Sequence, residues 1–329
     1  MNQPTNKPTK NQHYVWRSYL AAWTKTNTPE GQLMCLRKKK LFPVSLKKIA
    51  QENCFYGIKE LSQLEREIIY EMTVRNVQGV QKDTNEKWLN LYCTPFDFVK
   101  ELTALGIPVL GHTGCTEVLK DQVFKNWNIE YIEKVHAYIE RTGEPYIKLL
   151  RQNSLDFWKE ETDRDSFSFF LCNQYFRTKK TRDGIVSVFE KVKHETTQFA
   201  DLHPENMWLP LSLIFASNVG ATIAHHYSAV LLQTDNAYFI VGDQPVINTF
   251  ATFDMMTAPN DVELFYPVTP HSALLLTTDP EYINGQILSI TDAQTRHYNL
   301  LEYRSAREMV FAKERSHLEL LWQQDNQDA

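Results

Sequence analysis

The chain has 329 residues, of which 43% are hydrophobic and 12% aromatic, enough for a sizeable core, so extensive disorder is excluded. A formal net charge of −5 argues against a protein that coats nucleic acid by bulk electrostatics; such contact needs a local basic patch. The five cysteines, Cys35, Cys54, Cys93, Cys115 and Cys172, are scattered without C-x-x-C spacing, which points away from a disulfide framework or zinc finger and toward a reducing cytoplasm.

The lead Met1–Lys10 is polar, lacks the apolar stretch of a secretory signal, and is expected to be disordered. No run approaches the ~18 apolar residues of a membrane span, so no membrane partner is expected. Tyr14, Trp16, Tyr19, Leu20 and Trp23 recur at near-helical spacing, predicting a short amphipathic helix entered just after His13. Gly31–Arg37 and the stretch around Phe42–Val44 have strand character and predict an N-terminal hairpin. The basic run Arg37-Lys38-Lys39-Lys40, with Lys47-Lys48, reads as a nucleic-acid patch or as an edge strand guarded by lysines.

From Lys59, Leu61, Leu64, Ile68, Ile69 and Met72 mark a helix whose other face carries Glu65, Arg66, Glu67 and Glu71. A helical insertion is expected around 84–160, broken at Pro95, Gly106-Ile107-Pro108 and Gly111–Gly114. Helices follow over Tyr131–Leu150, Asp165–Arg177, Arg182–Phe199 and Met207–His226. Short apolar runs at Ala229–Gln233, Tyr238–Val241, Val262–Pro267 and Ser272–Thr277 then predict a small antiparallel sheet. A last helix is predicted over Thr291–Phe311, and the tail 323–329 should fray. The expected fold is α+β: one mostly helical domain over 11–322, with an N-terminal hairpin and a small C-terminal antiparallel sheet.

Three groups of polar residues interrupt this apolar pattern and ask for a partner, a ligand or a reaction: Asn11-Gln12-His13-Tyr14, Asn173-Gln174-Tyr175-Phe176-Arg177-Thr178, and Gly242-Asp243-Gln244-Pro245. His13 has the chemistry of a general acid or base, and equally of a capping or core histidine. Gln174 and Arg177, three apart on a buried-looking helix, share a face and suit an anion, or an internal carboxylate such as Glu65 or Asp243. Thr178, Lys179 and Lys180 read as that helix's exposed end. Asp243 ends a strand, a favoured place for metal or catalytic work and also for an ordinary Asx-turn. His225 and His226 are adjacent, point about 100° apart and cannot together ligate one metal. Phosphate-loop, dinucleotide and serine-hydrolase signatures are absent from the chain.

Together these motifs resemble a mainly bacterial family catalogued as a domain of unknown function, number 4238. Its pattern runs N-Q-H-Y-V-P, then Q-x-x-R-T at a helix end, S-D-N-P after a strand, P-L-S-P, and a late helix with Asn. Here these correspond to Asn11–Val15, Gln174–Thr178, Gly242–Pro245, Pro267-Val268-Thr269-Pro270 and Asn299. Trp16 and Lys179 replace prolines of the pattern, and Gly242 and Gln244 replace its Ser and Asn. The resemblance implies a fold unit without an assigned activity, and an association with bacterial mobile or defence gene sets.

Two expectations follow. In the first, the chain is an intracellular effector, a nuclease or phosphodiester hydrolase. His13 is then acid or base, Gln174 and Arg177 hold a phosphate, and Asp243 with Glu65 binds Mg or Mn or orients the histidine. Gln12, Tyr14, Thr178 and Asn299 line its substrate site, and the partner is nucleic acid. In the second, the same residues form a satisfied internal network in a non-catalytic recognition or scaffold subunit that joins partner proteins of a defence or toxin complex.

Overall fold

A computed structural model describes residues 10–106, 115–252 and 257–325, with only the backbone described for 115–126, 324 and 325. The expected lead and tail, and the breaks at 107–108 and 111–114, lie largely outside these residues. In chain order come β1 (Asn11–His13), α1 (Arg17–Leu20, continued by a 3-10 turn to Trp23), β2 (Gln32–Arg37), β3 (Lys40–Ser45) and β4 (Gln51–Asn53). Next are α2 (Gln63–Tyr70), α3 (Gly79–Ala104), α4 (Cys115–Arg151), α5 (Glu161–Phe176), α6 (Lys179–Glu195) and α7 (Pro204–His226). The chain then forms β5 (Ser228–Gln233), β6 (Val241–Gly242), β7 (Ile247–Asn248), β8 (Leu264–Thr269), β9 (Ser272–Thr277) and β10 (Ile287–Ser289). It ends with α8 (Asp292–Ser305), β11 (Met309–Ala312) and α9 (Arg315–Asp325). The architecture is α+β.

The chain groups into two compact units, both discontinuous: 1–12, 52–138 and 185–214 in the first, and 13–51, 139–184 and 215–329 in the second. In the first, Ser62 caps α2 and Glu65 reaches back to the Ser62 N–H, a reciprocal capping box that starts the helix sharply. Glu65 is expected on the polar face, yet it is fully buried, because its other oxygen accepts from the His203 N–H at 2.9 Å. Arg66 grips Asp97 through two nitrogens, pinning α2 to α3. Helix α3 runs through Pro95, where the sequence predicts a break. A proline lacks the N–H that would serve the carbonyl four residues earlier. Here that carbonyl, on Leu91, accepts instead from the Tyr131 hydroxyl at 3.0 Å.

The second unit holds two sheets. One has the order β10-β5-β9-β8-β7, antiparallel except for the parallel β10. Its strands β5, β8 and β9 are almost wholly buried. The other has the order β3-β2-β11-β6, so the predicted hairpin is completed by a strand from the far end of the chain. Lys38 and Lys39 form its two-residue turn with φ of 48° and 62°, the left-handed values of a type I′ turn, and β3 is the sheet's edge. Met309–Phe311, expected within the last helix, is instead β11, since α8 ends at Ser305 and Ala306 turns extended.

Helix α7 is the most apolar of the described helices. By length and composition it could cross a membrane, contrary to the expectation that no run would, but 67% of its most apolar stretch is buried within the protein, as in a core helix.

Candidate functional site

The interior of the second unit is organised around the short connection between α5 and α6. Arg177, 3% exposed, sits in that connection. Its Nη1 donates to Glu140 at 2.7 Å and its Nη2 to the His13 carbonyl at 2.8 Å. An internal carboxylate partner of Arg177 is therefore Glu140. Burial raises the Glu140 carboxyl, and the adjacent guanidinium partly offsets that rise. Thr178, Lys179 and Lys180 begin α6 and do not form an exposed helix end; Thr178 is fully buried against the Gln244 side chain. Two lysines at a helix N-terminus oppose the helix dipole, and acidic groups compensate. Lys179 pairs with Glu308 at 2.5 Å, and Lys180 feels the charges of Glu302 and Asp243.

Tyr238–Ile240 is predicted as strand but makes no ladder, because its backbone groups are taken by side chains and a loop. Asn299 on α8 accepts from the Ile240 N–H at 3.0 Å and donates to the Tyr238 carbonyl at 2.8 Å. The Trp23 indole donates to the Phe239 carbonyl, and the Phe239 N–H donates to the Pro270 carbonyl. One turn further along α8, Glu302 accepts from the Gly242 N–H at 2.9 Å. Asn299 and Glu302, three apart on one helix face, thus splint the segment that leads to Asp243.

Asp243 is 1% exposed and uses both carboxylate oxygens on consecutive backbone donors, Arg307 N–H at 2.7 Å and Glu308 N–H at 3.0 Å. Those bonds stop the chain after α8 and turn it into β11. Burial pushes the Asp243 carboxyl up to about 6 despite these donors. Glu302 is fully buried, its carboxyl is raised well above the usual range, and its Oε1 is a buried acceptor without a partner. The Lys180 amine is lowered by burial. Two carboxyls pushed up beside an amine pushed down form a perturbed group of the kind found at reactive sites. Gln244 donates to the carbonyls of Tyr175 and Val246 at 3.1 and 2.9 Å.

Gln174 is 2% exposed, with its Nε2 buried and without a partner. His13 lies in β1, not at a helix mouth, and its Nε2 contacts the Leu46 carbonyl at 3.2 Å. Burial, aided by the Arg17 and Arg177 cations, lowers its pKa to about 4, so it is neutral near pH 7. Tyr14 is buried and its N–H donates to the Ala50 carbonyl. Gln12 and Glu65 belong to the first unit. Gln12, fully buried, donates to the Ile129 carbonyl and Glu133 and accepts from the Tyr56 N–H. Glu65 has both oxygens on backbone donors, Ser62 and His203.

The structure therefore brings His13, Arg177, Thr178, Asp243, Gln244 and Asn299 into the interior of one unit and leaves Gln12 and Glu65 in the other. Sequence reasoning missed Glu140, Lys180 and Glu302. Only Glu302 carried a local signal, its spacing of three from Asn299. Elsewhere in the second unit, His225 meets Asp165 at 3.5 Å, with Glu161 close by. All three are exposed; Glu161 sits in the first turn of α5 and His225 in the last turn of α7, where helix dipoles favour them.

An α+β chain whose ordered polar motifs meet at a helix junction and a strand end is the class these elements define. A family model described as "Protein of unknown function (DUF4238)" matches residues 11–316, and the chain belongs to that family. No curated protein and no solved structure matches it.

Proposed function

We propose that this chain is a non-catalytic recognition or scaffold subunit, acting with partner proteins in a bacterial defence or toxin complex in the cytoplasm. The observation that carries the reading is the commitment of Asp243, whose two oxygens hold the consecutive N–H groups of Arg307 and Glu308. Arg177, Gln244, Asn299 and Gln12 likewise spend their polar groups on the main chain of distant segments. Groups so used act as fasteners of the backbone, and a reacting carboxylate or amide needs its lone pairs or N–H groups turned to a ligand. A lowered His13, neutral at pH 7 and held to the Leu46 carbonyl, also fits a structural role.

A second reading, a nuclease or phosphodiester hydrolase using Mg or Mn, draws support from one observation: the raised Asp243 and Glu302 carboxyls beside the lowered Lys180. The test is an assay of the purified protein on RNA, single-stranded DNA and plasmid, with and without either ion. No cleavage, with Asp243→Asn altering only the unfolding midpoint, is the outcome expected of a scaffold. Metal-dependent cleavage that disappears in a folded Asp243→Asn or Glu302→Gln protein would overturn it.

A further inference from the structure

A cleft of about 630 Å³ opens in the second unit, lined by Arg151, Tyr238, Pro270, His271, Lys313 and His317 among others. Its charge is unusual in how little of it is neutralised. Arg151 donates from Nη2 to the Ser18 and Tyr19 carbonyls at 3.1 and 3.0 Å, and its Nε is buried without a partner. Among the described residues no carboxylate forms an ion pair with it. A guanidinium held partly out of water, its hydrogen bonds going to carbonyls and the Glu144 charge acting on it without an ion-pair contact, is a costly arrangement that an anion would relieve. Lys313 reaches only the amide oxygen of Asn27, at 3.5 Å, and it too has no ion-pair partner among the described residues.

Flat surfaces stand beside these cations. Tyr238 is 37% exposed, with His317 stacked on it at 4.3 Å between ring centroids and His271 tilted against it at 4.7 Å. Glu314 is the single acid in the lining, so Arg151 and Lys313 leave the cleft with a net positive charge before either histidine is protonated. A space of several hundred cubic ångströms fits a ligand of nucleotide size. A guanidinium fork, an ammonium and two imidazoles are the donor set that recognises a phosphate.

We infer that this cleft is a binding site for a nucleotide-sized phosphate monoester, the phosphate toward Arg151 and Lys313 and the ring toward Tyr238 and Pro270. Asp243, Glu302 and Lys180 are not among the cleft's lining residues, and the inference holds whether their group is structural or reactive.

The test is titration of the full chain with AMP, adenosine and inorganic phosphate, read by calorimetry and by the unfolding midpoint. AMP and phosphate should bind and raise the midpoint, AMP the more strongly, and adenosine should do neither. Lys313→Gln, at a partly exposed position, should weaken AMP about three- to tenfold with the unliganded midpoint unchanged. Because Arg151 also holds the Ser18 and Tyr19 carbonyls, its removal risks the fold, so His271→Gln serves as the second variant and should weaken AMP in the same direction. Adenosine binding as tightly as AMP, absence of binding by both AMP and phosphate at millimolar concentration, or AMP affinity unaltered in the Lys313→Gln, His271→Gln double variant would each overturn the assignment.

Discussion

Asp243 shows how a residue that looks reactive in the sequence can be spent on the main chain. Replacing it with Ala strands the N–H groups of Arg307 and Glu308 in a buried place and should cost about 2–4 kcal/mol in urea unfolding. His13 gives a pH signature with a definite sign. Its folded pKa of about 4 lies below the ordinary 6.5, so the unfolded chain binds the proton more readily. The stabilisation is present above pH 6.5 and is lost as pH falls toward 4. The stability difference between the native protein and His13→Gln should therefore grow with pH across that window, as urea titrations at several pH values would show. At the hairpin, Lys38 and Lys39 occupy left-handed backbone that Asn and Gly adopt readily. The double change Lys38→Asn, Lys39→Gly should stabilise the protein by about 0.5–1 kcal/mol in the same assay.

At the scale of elements, local signals were legible and remote ones were not. The helices from α4 to α7 follow apolar periodicity, and β5 and β9 follow β-branched and leucine-rich runs between turn residues, so their presence could be read directly. Strand β11 could not. Met309-Val310-Phe311 directly follows a helix, and its partner β2 lies near the other end of the chain. Tyr238–Ile240 misled for the complementary reason: its composition is that of a strand, but Asn299, Trp23 and the Pro270 loop consume its hydrogen bonds. Likewise the polar motifs stood out in the sequence, but not that Arg177 would pair with Glu140, since no spacing encodes a contact between separate segments. Asn299→Ala removes the α8 splint and should cost about 2 kcal/mol by leaving the Ile240 N–H unpaired. In α4, Gly143 lies under the Phe170 ring with no room for a methyl group. Gly143→Ala should destabilise by about 1–3 kcal/mol, read as a lowered midpoint in thermal unfolding.

Across the whole molecule, chain order and spatial order diverge. Each unit is assembled from three separate stretches, and the four-stranded sheet needs both the first hairpin and β11. A fragment comprising 215–329 retains β6 and β11 but lacks β2 and β3, so circular dichroism of that fragment should show loss of the native fold. Contacts this distant in sequence also slow folding, because loop closure must precede the pairing that rewards it.

That pairing has a consequence during synthesis. Strand β2 leaves the ribosome long before β11, which Arg37 and Cys35 face in register through Met309 and Phe311. At ordinary elongation rates the hairpin waits on the order of tens of seconds for its partner. Throughout that interval one edge of β2 is an unoccupied template for any passing strand, and the nascent chain depends on the lysines around the turn, or on a chaperone, to keep that edge from strangers.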